Sequence, residues 1–90
     1  MPTINIAAGN TREIDLGNSN AMTITANGGN ASAHVDYLRN GAYSSAVKGS
    51  AGYGNPFNVL NGQPKTVNKS DLESEHVRVG VNSANITVIY

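Results

Sequence analysis

His76-Val77-Arg78-Val79-Gly80-Val81-Asn82-Ser83-Ala84-Asn85-Ile86-Thr87-Val88-Ile89-Tyr90 is the stretch that decides the fold. Val77, Val79 and Val81 alternate with Arg78 and Gly80. Turn-type residues follow, and then Ile86, Val88 and Tyr90 alternate with Thr87. A period of two sends one set of side chains to a dry face and the other to water. The stretch therefore predicts two strands, read together as a β-hairpin that closes a sheet.

The same pattern continues upstream. Residues 3–7 form a first strand with Ile4 and Ile6 inward, and 11–16 a second in which Arg12 shares a face with Ile14 and Leu16. Residues 21–26 form a third, with Met22 and Ile24 inward and two threonines outward. Asn27-Gly28-Gly29-Asn30 contains the Asn-Gly dipeptide that tight hairpins favour, because both residues tolerate positive φ. For the fourth strand, 31–38, the register with Ala33, Val35 and Tyr37 inward is chosen, since the other buries Asp36. Asn40-Gly41 turns the chain. Periodicity then fades through 42–65, a long irregular central loop rich in Gly, Ser and Asn, with short strands at Val47 and at 57–60. Residues 65–68 read as another short strand. Residues 70–75 read either as a helical turn capped by Ser70, with Glu73 at the capping-box offset, or as a 3₁₀ loop, because six residues do not sustain a helix. Seven or eight short strands spaced by about 8–12 residues predict one all-β domain over 1–90, an antiparallel β-sandwich with the jelly roll as one of its forms.

Ninety residues supply one modest core. There is no cysteine and no tryptophan, so the core rests on Ile, Val, Leu and Ala, with no disulfide to support it. Such a domain gains from packing on a partner. Six basic and six acidic residues give zero formal charge and no basic stripe, which argues against nucleic acid and against anionic membranes as partners. No apolar run has the length of a membrane span, and the first residues do not read as a signal peptide, so synthesis in the cytoplasm is expected.

Reactive chemistry is sparse. The thirteen asparagines sit mostly in turn contexts, and we read them as turn residues rather than as a polar ladder. His34 and Asp36 are two apart on one strand face. A metal would need a third or fourth convergent ligand, and only His76 offers one, so they read as a solvent-facing pair. A nucleophilic dyad lacks its serine motif. Asp71, Glu73 and Glu75 read as a solvated acidic loop, without the calcium-loop pattern. Gly49-Ser50-Ala51-Gly52-Tyr53-Gly54 has no lysine and no following helix, so it is not a phosphate loop. No catalytic residue, no metal ligand and no cofactor is therefore expected. Tyr43, Tyr53 and Phe57 have two readings: cover over an open edge of the core, or contact with a partner. We take them as the partner-binding residues.

Ile4-Asn5-Ile6-Ala7-Ala8-Gly9-Asn10-Thr11 with Ile14-Asp15-Leu16, and the closing Val77–Val88 segment, resemble small all-β virion proteins of tailed bacteriophages, nearest to head-decoration (cement) proteins. The resemblance covers the two ends, about half of the chain. It implies a compact structural protein on the outside of a capsid, bound to the major capsid protein or other virion subunits, located in the virion, and a homo-oligomer with a trimer favoured. The alternative reading is a carbohydrate-binding or adhesion β-module of a phage tail or cell surface, with tyrosines stacking on sugars.

Overall fold

The computed structural model describes residues 2–45, 56–72 and 74–90. These form an all-β protein of nine strands: β1 (Thr3–Ile6), β2 (Thr11–Asp15), β3 (Ala21–Asn27), β4 (Ala31–Arg39), β5 (Ala42–Ser45), β6 (Phe57–Val59), β7 (Lys65–Asn68), β8 (His76–Asn82) and β9 (Asn85–Ile89). The expected helical turn is a 3₁₀ turn over Lys69–Asp71. It starts before Ser70, so that serine lies inside the turn rather than at its cap.

Two antiparallel sheets pack face to face. The first has the order β1-β9-β3-β7. The second has the order β2-β8-β4, and the long β4 shares its outer edge between β6 and β5. First pairs with last throughout: β1 with β9, β2 with β8, β3 with β7, and β4 with β6. The chain is thus folded back on itself as one long antiparallel ribbon, and the ribbon is wrapped so that successive pairs fall in alternate sheets. That is a jelly-roll arrangement, with β5 added beside β4.

This order corrects two expected hairpins. β8 belongs to the second sheet and β9 to the first, so the closing stretch is an arch from one sheet to the other. The Asn27–Asn30 turn likewise carries the chain from β3 in one sheet to β4 in the other. Alternation identifies the dry face of a strand but not its neighbour. The tight hairpin lies at Asn40-Gly41, where φ of 53° and 79° suits a two-residue turn between paired Arg39 and Ala42. Its second strand, β5, occupies the start of the region read as irregular loop. Val47 lies outside the described residues.

The core is the space between the sheets. Ile6, Met22, Ile24, Ala26, Val67, Ile86 and Val88 of the first sheet meet Ile14, Ala31, Ala33, Val35, Val59, Val77, Val79 and Val81 of the second. Leu16 and Leu72 add to it from the loops. The chosen register of β4 holds: Ala33 and Val35 are buried, and Tyr37 packs against the core. Arg12, placed with Ile14 by period, is exposed because β2 is an edge strand. Charges on that edge also discourage pairing with another chain. Among the described residues no helix is long and apolar enough to cross a membrane.

Candidate functional site

With alternate side chains turned inward, each sheet displays its remaining positions outward, and the two outer faces differ in chemistry. On the first sheet the face is uncharged and tied together by amides and hydroxyls. Asn27 Nδ2 donates to Thr87 Oγ1 at 2.8 Å, and Thr87 Oγ1 donates to Asn5 Oδ1 at 2.9 Å, linking β3, β9 and β1. At the sheet's end Asn85 Oδ1 accepts from the Ala8 amide. Some asparagines read as turn residues thus form a short polar ladder, which only the β1-β9-β3 order brings together.

The outer face of the second sheet carries charge. Register sets Glu13 of β2 opposite Arg78 of β8, and Arg78 opposite Asp36 of β4. Arg78 Nε and Nη2 both donate to Asp36 Oδ2, at 3.3 and 3.0 Å. Asp36, although on the outward register, is only 8% exposed, with Arg78 and His34 against its carboxylate. Its charge is tolerated there because a guanidinium answers it. His34 Nε2 lies 3.9 Å from the same carboxylate oxygen, so His34 and Asp36 do come together, but the expected solvent-facing pair is corrected: the carboxylate is buried, and Arg78 is its hydrogen-bonded partner. The His34 ring sits over Gly80: a Cβ there would lie 2.2 Å from His34 Cε1. That contact explains the glycine in an otherwise valine-rich alternation.

Tyr43 completes the row. The Arg78 guanidinium carbon stands 4.5 Å from the centroid of its ring. The phenol is harder to ionise than an ordinary tyrosine, first because of burial, then because of the negative charge of Glu13 and the hydrogen bond to it; Arg78 opposes the shift and does not overcome it. Between Tyr43 and β2 lies a hollow of about 450 Å³ lined by Glu13, Ile14, Asp15, Leu38, Tyr43 and His76. At its rim His76 Nδ1 lies 3.8 Å from Asp15 Oδ1, and His76 Nε2 lies 3.7 Å from Glu75 Oε1. The Asp15–His76 pairing of β2 with β8 creates this trio, which chain spacing alone did not suggest. One donor atom from each residue lies within 4.8 Å of the others, and all three residues are exposed. The two ring nitrogens face different carboxylates, so the imidazole bridges two acids rather than turning one nitrogen towards both.

A larger hollow, about 710 Å³, lies where the loops at one end meet, lined by Asn20, Asn68, Lys69, Ser70, Leu72, Ser74 and Glu75. Lys69 Nζ there donates to the Gly17 carbonyl. It is bigger but gathers fewer charged and aromatic groups than the face around Tyr43.

Of the three residues assigned to partner contact, Tyr43 lies on the charged outer face. Phe57 is placed differently: it is half-buried, opposite Ala33, and packs against the core, which is the core-cover arrangement. Tyr53 lies outside the described residues. The groups around Tyr43 (Glu13, Asp15, Leu38, Arg78 and His76) were not singled out for this role in the sequence. Their signal was the polar half of the alternation in β2, β4 and β8. Comparison with protein-family models, with curated proteins and with solved structures returns no match.

Proposed function

We propose that this chain is a structural binding module, a decoration protein that docks on the outside of a phage capsid and stabilises it, using the outer face of β2-β8-β4-β5. One observation carries this reading. Tyr43 is held outward by Arg78 and Glu13 over a core that is filled without it. A large amphipathic ring, orientated before any partner arrives, loses little freedom on binding and gives an interface its anchor. The charged groups around it are arranged for register and specificity rather than for bond-making. Jelly rolls serve in viral capsids and in lectins alike, so the architecture suits the reading without selecting it. Repetition in an oligomer, a trimer in this reading, would multiply weak contacts into stable attachment.

The test uses particles of the source virus stripped of this protein. Wild type should co-sediment with them, and Tyr43→Ala should lose most of that binding while keeping its far-ultraviolet circular dichroism. Undiminished co-sedimentation of the variant would remove this face from the interface. Sedimentation velocity of the free protein reports whether it is a trimer.

The second reading is a carbohydrate-binding module. The uncharged Asn27–Thr87–Asn5 ladder favours it, together with the amide- and hydroxyl-lined hollow at Asn20, Asn68 and Ser70. Saturable binding on a glycan array, lost in Asn68→Ala and retained in Tyr43→Ala, would select it over the first.

A further inference from the structure

We infer that the hollow beside Tyr43 is a receptor for an arginine side chain presented by the partner protein; this rests on the reading of that face as the docking surface. The first support is charge. Glu13 and Asp15 line the hollow, and Glu75 stands beside it through His76. The nearest cation on the face, Arg78, stands opposite Glu13 and is also hydrogen-bonded twice to Asp36, so a single guanidinium answers the three carboxylates Glu13, Asp15 and Asp36. Arg12 and Arg39 occupy the alternate positions of β2 and β4, on the opposite register to Glu13 and Leu38, and Arg12 lines a separate hollow with Asn5 and Asn10. Among the described residues this leaves carboxylates in excess around one small concavity. The reluctance of Tyr43 to ionise, to which the charge of Glu13 contributes, is consistent with such a field.

The second support is shape and polarity. Leu38 and the Tyr43 ring give an apolar wall against which a chain of methylenes can lie, and the carboxylates of Glu13 and Asp15 line the same hollow. A long side chain with a cationic tip matches that division. Between the two basic side chains, guanidinium fits better. It pairs with a carboxylate through two parallel hydrogen bonds, and it stacks on aromatic rings, as Arg78 already does on Tyr43. A volume of about 450 Å³ is within the range that holds a small ligand group.

The probe is the peptide acetyl-Gly-Arg-Gly-amide, titrated into the ¹⁵N-labelled full chain and followed by amide chemical shifts. Its lysine counterpart and its citrulline counterpart, which keeps the shape and removes the charge, are run alongside. The arginine peptide should give saturable shifts clustered at Glu13, Asp15, Tyr43 and His76. The lysine peptide should bind several-fold more weakly, and the citrulline peptide should not saturate. The variant Glu13→Gln/Asp15→Asn should weaken arginine binding about tenfold, the loss expected for charge-assisted hydrogen bonds. Asparagine at 15 retains the Oδ1 that accepts the Gly17 amide, and Glu13→Gln alone provides a variant that leaves that turn untouched. Equal binding of the citrulline and arginine peptides, shifts centred elsewhere, or no saturation would overturn the inference. The particle assay separates the two claims. If Tyr43→Ala abolishes co-sedimentation while the arginine peptide does not bind, the face docks but its occupant is not arginine. If the peptide binds and Tyr43→Ala sediments as wild type, the pocket exists outside the capsid interface.

Discussion

Individual side chains on the charged face are coupled, and the coupling sets measurable signs. Tyr43 ionises above the ordinary tyrosine range because burial and Glu13 both disfavour phenolate. The neutral ring is therefore the form the fold favours. Its contribution to stability is complete below about pH 10, the ordinary tyrosine value, and is lost as pH rises through the higher folded-state value. In an absorbance titration Tyr43, identified by its loss in Tyr43→Phe, should ionise above the ordinary tyrosine range, and Glu13→Gln should lower that value; an unmoved titration would show that Glu13 is not the cause. Gly80 offers a second test. Alanine there drives Cβ into the His34 ring, which must swing outward and give up Asp36, at a cost of about 1 kcal/mol in chemical denaturation. In a His34→Ala background the same change should turn stabilising by about 0.5–1 kcal/mol, because alanine suits extended backbone better than glycine does. The sequence showed His34 and Asp36 on one face. It did not show that Arg78 would claim Asp36 or that Gly80 would make room for the imidazole, because both partners arrive from a strand more than forty residues away.

At the scale of elements, alternation located β1 to β4 and β7 to β9 to within a residue or two, since each has one wet and one dry face. β5 escaped because it is a short edge strand whose residues, Ala42-Tyr43-Ser44-Ser45, carry no apolar period. Its existence follows from the tight Asn40-Gly41 turn, which folds it back on β4. The connection between β8 and β9 is the other instructive case. Ser83 sits at φ 79°, a conformation that L side chains rarely adopt, at the point where the chain leaves one sheet for the other. Ser83→Gly should relieve that strain and raise stability by about 0.5–1 kcal/mol, read as a higher denaturation midpoint with unchanged slope. A decrease would mean that the serine is stabilised there by something the backbone conformation does not reveal.

For the whole molecule, the first-with-last pairing makes nearly every sheet contact distant in sequence. Ile4 pairs with Val88, and Ile14 with Val77. Loops must close before those contacts reward the chain, so refolding should take milliseconds to seconds, as for other domains dominated by non-local strand pairing, and a stopped-flow phase in microseconds would contradict this. Ile86→Ala, at a fully buried position of the strand lying between β1 and β3, should cost about 2–5 kcal/mol and lower the melting temperature accordingly. That the protein is β-structured, which faces of its strands are dry and where the chain turns were all legible in the order of residues. Those properties follow from the local two-residue period and from residues that tolerate positive φ. Which strand lies beside which, and hence the encounter of Glu13, Asp15, Tyr43, Arg78 and His76 on one face, emerged with the packing of the two sheets. A strand's two edges present the same backbone groups whatever its sequence, so neighbours are selected by how both sheets together enclose one core.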